Sequence, residues 1–273
     1  MQRVLTAAIG APLALVALFL LPRVGFLALV LGLCLIAAIE LARLGVVLGA
    51  GRAVWSLPVL TLLAALLLTE PAVAGVAEIG ADTRFLLVLV LATFASAIVA
   101  LWSRGSVRER AMGIWLIAFG ALYLALPVSA IDRLRGRDPF LVVFLLAVVW
   151  LTDTGAFLVG GKWGKRKLAP QVSPNKTWEG ALGGLVAGVA AAGAWSLWRL
   201  GAVEPGLLLA GGLVSTAGQI GDLIESLIKR AAGVKDSGAL LPGHGGMLDR
   251  PDSLFVAAPV LELVCRLTPW AEH

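Results

Sequence analysis

Apolar residues in this chain come in runs separated by short polar breaks. The runs lie at 4–21, 24–48, 54–70, 84–102, 111–130, 139–159, 178–199, 206–228 and 254–271. A helix of about 20 apolar residues crosses the hydrocarbon core of a bilayer. The pattern therefore predicts an all-α, polytopic membrane bundle of nine transmembrane helices. The runs are too long for barrel strands and lack their alternation. Helices also satisfy their own backbone hydrogen bonds in lipid. The start of the chain, with Met1 and Arg3 ahead of an apolar run, has the look of a secretion signal. Its length, Pro12 and the further runs behind it make an uncleaved first helix the expectation.

Composition agrees with the pattern. Of 273 residues, 59% are hydrophobic and 14% charged, against roughly 25% charged in soluble domains. A soluble enzyme, a disordered tail and an ordinary nucleic-acid-binding domain are excluded, and no nucleic-acid partner is expected. The net charge of +5 reads instead as a topology signal. With the N-terminus inside, fifteen of the 22 Lys and Arg residues fall on the inner side and seven on the outer. Three of the outer ones, Arg133, Arg135 and Arg137, crowd a single loop expected at 131–138. Cys34 and Cys265 sit inside apolar runs and read as small buried hydrophobes. Trp55, Trp102 and Trp270 fall near run ends, as interface anchors do.

The chain reads as a single membrane domain over 1–273, with N-terminal helices in 1–150 and a catalytic part in 151–273. Two long connections, 160–177 and 229–253, are separated by two helices and so face the same side. In the stretch Gly221 to Arg230, positions Asp222, Glu225, Ser226 and Lys229 share one helical face. An intrahelical Glu225–Lys229 pair at a solvated helix end would account for part of this. The next stretch adds Lys235, Asp236, His244, Gly245, Gly246, Asp249, Arg250 and Asp252. Glycines around a histidine let backbone N–H groups approach an anion. Carboxylates completed by phosphate oxygens suit Mg²⁺, and Lys229, Arg230, Lys235 and Arg250 would neutralise phosphate charge.

The earlier connection carries Lys162, Lys165, Arg166 and Lys167, then Ser173, Asn175, Lys176 and Thr177 before a helix. Ser173, Asn175 and Thr177 are each candidate caps. A helix start behind basic residues is an anion site; the same charges would also meet anionic lipid headgroups. Asp153 lies within the sixth run, where a carboxylate is either functional or a hydrogen-bonded structural partner. Glu40, within the second run, is a weaker functional candidate, because Arg43 one turn away offers it a simple ion pair. Gly180, Gly184 and Gly188 recur every four residues, which favours close helix packing.

The run Ser226-x-Ile228-Lys229-Arg230-x4-Lys235-Asp236-x-Gly238-x2-Leu241-Pro242-x-His244-Gly245-Gly246-Met247-x-Asp249-Arg250-x-Asp252 resembles the signature of the phosphatidate cytidylyltransferases. Ser173-Pro174-x-Lys176-Thr177-x-Glu179-Gly180 is similar to that family's upstream motif. The motif resemblance covers about residues 150–253. Pro251 departs from it, standing where the signature has an apolar residue or threonine. The resemblance implies that CTP and phosphatidic acid react, with Mg²⁺, to give CDP-diacylglycerol and pyrophosphate. It leaves a second cation open.

On this reading Asp222 and Asp249 are first-choice Mg²⁺ ligands, with Ser226 beside them. Asp252 and Asp236 are ligands or their supports, with Asp252 the third metal candidate. Lys229, Arg230, Lys235 and Arg250 hold phosphates. His244, Gly245 and Gly246 shape the nucleotide pocket. Ser173, Lys176 and Thr177 contact phosphate from the other connection, and Asp153 organises the cavity wall. The glycine spacing and the resemblance together raise a homodimer as an expectation. The compact chain suggests a bacterial inner membrane, with the site facing the cytoplasm. A CTP-dependent lipid kinase of the polyprenol type and, from a different class, a secondary transporter are the competing readings. A CDP-alcohol phosphotransferase is disfavoured because its multi-aspartate helix motif is missing.

Overall fold

A computed structural model describes residues 12–69, 80–238 and 245–268. Nine helices lie among the described residues. The first, α1, is described over 12–20. It is followed by α2 (Arg23–Val47), a 3-10 turn (Arg52–Ser56), α3 (Leu57–Leu68), α4 (Ala81–Trp102), α5 (Val107–Arg137) and α6 (Pro139–Trp163). Strands β1 (Lys167–Ala169) and β2 (Ser173–Thr177) precede α7 (Trp178–Leu200), α8 (Pro205–Ala231) and α9 (Leu254–Leu267). Six of these helices, α2 and α4 to α8, are long and apolar enough to cross a membrane.

Every predicted run has a helix, but not every helix is long enough to span. α9 has 14 residues and α3 has 12, about 21 and 18 Å at 1.5 Å per residue, short of a roughly 30 Å hydrocarbon core. The parts of runs 4–21, 54–70 and 254–271 nearest their outer ends, with Trp270 and His273, lie outside the described residues. Two connections also differ from expectation. α5 runs on through Arg137, so the arginines expected in a loop at 131–138 belong to a helix. The connection at 160–177 contains the antiparallel pair of β1 and β2, with Lys167 opposite Thr177 and Ala169 opposite Ser173.

Local sequence explains the helix boundaries. Ser106 and Glu109 form a reciprocal capping box at the start of α5, with Ser106 N–H donating to Glu109 Oε2 and Glu109 N–H to Ser106 Oγ. Asp138 caps α6 by accepting the Phe140 N–H, and Pro139 occupies the first turn, where its missing N–H costs nothing. Gly201 closes α7 at φ 70°, a left-handed conformation that glycine adopts without a Cβ clash.

The chain divides into two compact units, Met1–Gly136 with Ile228–Pro251 and Arg137–Leu227 with Asp252–His273. Residue 150, where the N-terminal and catalytic parts of the expected single domain meet, lies inside α6. Ile228–Pro251, the segment that follows the bulk of α8, belongs to the same compact unit as the N-terminal helices.

In the first unit, arginines answer for helix ends. Arg135 donates to the carbonyls of Leu18 and Leu21, and Arg133 to that of Leu68 at 2.9 Å. Arg84 donates to the Thr69 carbonyl at 3.2 Å. The last carbonyls of a helix have no partner inside it, and a guanidinium both bonds them and meets the negative end of the dipole. Asp132 is 2% exposed and holds Arg23 through two bonds, of 2.8 and 3.2 Å. Arg133 and Arg135 are therefore placed by carbonyls.

The second unit is inside-out relative to a soluble bundle. α7 buries Gly180, Gly184, Gly188, Ala192 and Ser196 while Leu182, Val186 and Trp198 are exposed. Lipid offers no hydrophobic drive between helices, so small residues that allow close backbone approach make the contacts. A Cβ on Gly180 would stand 2.9 Å from the Ala156 carbonyl oxygen, and one on Gly184 would stand 2.9 Å from that of Thr152. The four-residue glycine stripe is thus used inside the chain, between α7 and α6. The expectation of a homodimer is left resting on the resemblance.

This packing makes a prediction. Gly184→Leu would drive a side chain into the α6 backbone and destabilise the protein by about 1–3 kcal/mol or more. Gly193→Ala, whose Cβ would meet only Leu208 at 3.4 Å, is expected to be neutral or slightly stabilising. Thermal unfolding in one detergent distinguishes the two.

Candidate active site

The second unit builds a polar cavity from its tightest packing. Thr177 ends β2 and caps α7, its hydroxyl accepting the Gly180 N–H at 3.1 Å. Of the three candidate caps, it is the one that does so. Glu179, in the first turn of α7, accepts the N–H groups of Lys165 and Arg166 at 3.0 and 3.1 Å. The Trp178 N–H in turn donates to the Arg166 carbonyl. The hairpin is thereby fastened to the helix start, and Lys176 has a defined base from which to reach.

Lys176 Nζ lies 2.6 Å from Asp222 Oδ2 on α8. The Ser226 hydroxyl donates to Asp222 Oδ1 at 3.2 Å, confirming that 222 and 226 share a face. One residue earlier, a Cβ on Gly221 would stand 2.6 Å from the Asp252 carbonyl oxygen. Only a glycine lets the chain before α9 come this close to α8. Asp153 on α6 lies within electrostatic range of Asp252, Asp222 and Lys176. Two carboxylates and one ammonium, Asp153, Asp222 and Lys176 from three elements, line a cavity of about 560 Å³ together with Asn175, Thr177 and Gln219.

The first unit holds the other predicted residues. Asp249 is 6% exposed at its side chain. Its Oδ1 accepts from Lys229 Nζ at 2.7 Å, and its Oδ2 accepts the N–H groups of Ser237 and Gly246 at 2.9 and 2.7 Å. Lys229 is therefore paired with Asp249. Glu225 is fully buried. Gly245 has φ 79°, and a Cβ there would stand 2.6 Å from Asp249 Oδ2, so the signature glycine is a steric requirement. Arg230 donates to the Val234 carbonyl at 2.9 Å and finishes α8. Lys235, Asp236 and Arg250 are exposed. His244 lies outside the described residues.

Several placements depart from expectation. Ser173 pairs with Ala169 at the far end of β2 and is not among the cavity lining. Glu40 does not act as a simple partner for Arg43: its oxygens accept from Ser237, Met247 and Leu248. Gln219 and Asn175 line the cavity unforeseen. A polar residue one turn before Asp222 in an apolar run was the available signal for Gln219. Among the described residues, no three acidic, histidine or cysteine side chains form a ready-made ion cage.

Comparison with known proteins adds a chain-wide relationship. The model of the family described as "Cytidylyltransferase family" matches residues 1–268. The phosphatidate cytidylyltransferase of Brucella suis biovar 1 (strain 1330) is 47% identical over 159 residues, which cover 54% of this chain and 55% of that protein. That of Bacillus subtilis (strain 168) is 40% identical over 161 residues, covering 56% of this chain and 59% of that one. In both, the aligned part spans little more than half of the relative. That of Pseudomonas aeruginosa is 38% identical over 273 residues and 98% of each chain.

The hairpin geometry is testable without any activity. Thr177→Ala removes the cap of α7 and is expected to cost about 1 kcal/mol, whereas Thr177→Ser retains most of it. Thermal unfolding of the purified variants reads the difference.

Proposed function

The chain belongs to the cytidylyltransferase family, and on that premise we propose that it transfers the cytidylyl group of CTP to phosphatidic acid. The observation that carries the chemistry is the cavity of about 560 Å³ with its Lys176–Asp222 pair and neighbouring Asp153. Its volume falls in the range of small-molecule sites, roughly 300–1,000 Å³. In the reaction, a phosphate oxygen of phosphatidic acid attacks the α-phosphorus of CTP. The bond from that phosphorus to the β-bridging oxygen breaks, and pyrophosphate leaves. A phosphate is already a competent nucleophile near neutral pH, so no strong base is demanded. The barrier lies in bringing anions together, and positioning with charge neutralisation lowers it.

The donor chemistry fits Mg²⁺, which takes one or two carboxylates and completes its shell with phosphate oxygens and water. Bound Mg²⁺ would supply charge neutralisation at the transferring phosphate. Asp222 is the first-choice ligand, with Asp252 beside it. Asp249 is the corresponding candidate in the first unit. In each unit the first-choice carboxylate carries a lysine, Lys176 on Asp222 and Lys229 on Asp249. These ammonium groups balance the carboxylates before substrate binds. An arriving phosphate offers each lysine a second anionic partner. Ser226 orients Asp222 through its hydroxyl. Lys235, Arg250 and Arg230 add positive charge from the signature segment, and Gly245 and Gly246 present its backbone. Asp153 sets the charge of the cavity wall, and Thr177 fixes the helix start from which Lys176 reaches.

The bilayer is part of the proposal, since one substrate lives in it. We place the protein in a bacterial inner membrane with the N-terminus and the site on the cytoplasmic side. The six long helices supply crossings, α3 and α9 are shorter embedded helices, and the run at 4–21 supplies the ninth. The Lys and Arg count favours this orientation more clearly now that Arg133 and Arg135 have a structural task and Arg137 lies 3.9 Å from Glu262.

Purified protein with Mg²⁺ and phosphatidate is expected to move the label of α-³²P-CTP into lipid. Lipid labelled from γ-³²P-CTP instead would indicate a kinase, and no CTP-dependent product would favour transport. Asp222→Asn is expected to lower kcat/KM by about 10²-fold or more, in the range for losing one electrostatic contact in a preorganised site. Full Mg²⁺-dependent turnover in that variant would overturn the role of Asp222.

A further inference from the structure

Glu40 lies in α2, 197 residues before Ser237, and is 3% exposed. Burying a carboxylate in a membrane helix is costly, and here it is offset by three donors from one distant segment. Oε1 accepts the Met247 N–H at 2.9 Å. Oε2 accepts the Leu248 N–H at 2.8 Å and lies 2.8 Å from the Ser237 hydroxyl. That hydroxyl is also 3.0 Å from Asp249 Oδ2, so its one proton serves two carboxylates. Asp249 in turn holds Lys229 at 2.7 Å. The series Glu40, Ser237, Asp249 and Lys229 joins α2 to the end of α8 within the first unit.

The neighbouring glycines fit the same carboxylate. A Cβ on Gly238 would stand 2.6 Å from Glu40 Oε1, and one on Gly246 would collide with Oε2 and with the Ser237 hydroxyl. Both flanks of residues 239–244 are therefore shaped around Glu40. Loops are ordinarily positioned by their own turns. These flanks are templated by a side chain fixed to a long helix, whose backbone cannot relax without displacing α2.

We infer that Glu40 is a positioning residue: it sets the conformation of the signature segment so that Asp249 presents Lys229 to a CTP phosphate. The inference rests on the cytidylyl-transfer reading above. It gives the N-terminal helices a part in nucleotide handling beyond embedding the chain. Glutamine in place of Glu40 would turn an amide NH₂ toward backbone N–H donors at one oxygen position, leaving donor against donor. Aspartate keeps both acceptors but retracts them by one methylene.

The test is steady-state kinetics on the full chain in lipid nanodiscs, normalised to folded protein. Glu40→Gln is expected to raise the KM for CTP by about ten-fold or more, as misplacement of a positioned group does. The KM for phosphatidate should stay within about two-fold. Glu40→Asp should recover part of the loss. Combined with Lys229→Ala, Glu40→Gln should add little, because the two act through one series. An unchanged KM for CTP in Glu40→Gln, or a loss confined to the yield of folded protein, overturns the inference. If Glu40→Gln does not fold, Ser237→Ala carries the test by the same criterion. If the wild-type protein transfers no cytidylyl label, the activity reading fails on its own. Equilibrium CTP binding then decides, and equal Kd values for wild type and Glu40→Gln overturn the role of Glu40.

Discussion

A chain whose solvent is hydrocarbon must satisfy its backbone polar groups from within, and the buried charges of this protein are arranged around that requirement. Arg84, Arg133 and Arg135 bond the carbonyls that end neighbouring helices. Glu40 and Asp249 accept the N–H groups of a segment that has no ladder or helix to absorb them. Charge assistance strengthens such bonds. The same side chains that look like catalytic currency in the sequence are, in part, the means by which irregular backbone is tolerated.

Two classes of carboxylate emerge. Asp222 and Asp153 face a cavity, and the bonds to Asp222 come from side chains, Lys176 and Ser226. Those bonds can exchange for a phosphate or a cation without disturbing a fold. Glu40 and Asp249 are bonded to backbone, and removing them would release a segment. The distinction separates carboxylates held by exchangeable side chains from those held by backbone, and it depends on the partner, not on residue type. Lysine pairing is common to both units and balances Asp222 in one and Asp249 in the other.

Much of the site was legible in the chain. Asp153, Lys176, Thr177 and Asp222 were all singled out, and all line one cavity, because intramembrane charges and a capped helix start are costly enough to need a reason. The Asp222–Ser226 pairing followed from helical spacing alone. Sequence proximity pairs Glu40 with Arg43, but the nearest opposite charge in sequence is a poor guide when a donor 197 residues away can approach. The arginines of 131–138 were misread as a loop because polarity was taken to end the helix. The long side chains of Arg133 and Arg135 reach carbonyls on α3 and α1 while the α5 backbone stays helical.

The sequence by itself determined the helical membrane class, the order and approximate extent of the helices, and the family, since all of these are written in local hydropathy and in closely spaced motifs. It also determined that the glycines at 180, 184 and 188 pack. Tertiary structure alone decided what they pack against, which helices fall short of a full crossing, and that the signature segment closes on α2. Periodicity reports which face a residue occupies. It carries no information about which distant backbone will be brought to that face, and in this protein the donors to Glu40 and the carbonyls under Arg133 and Arg135 are just such distant groups.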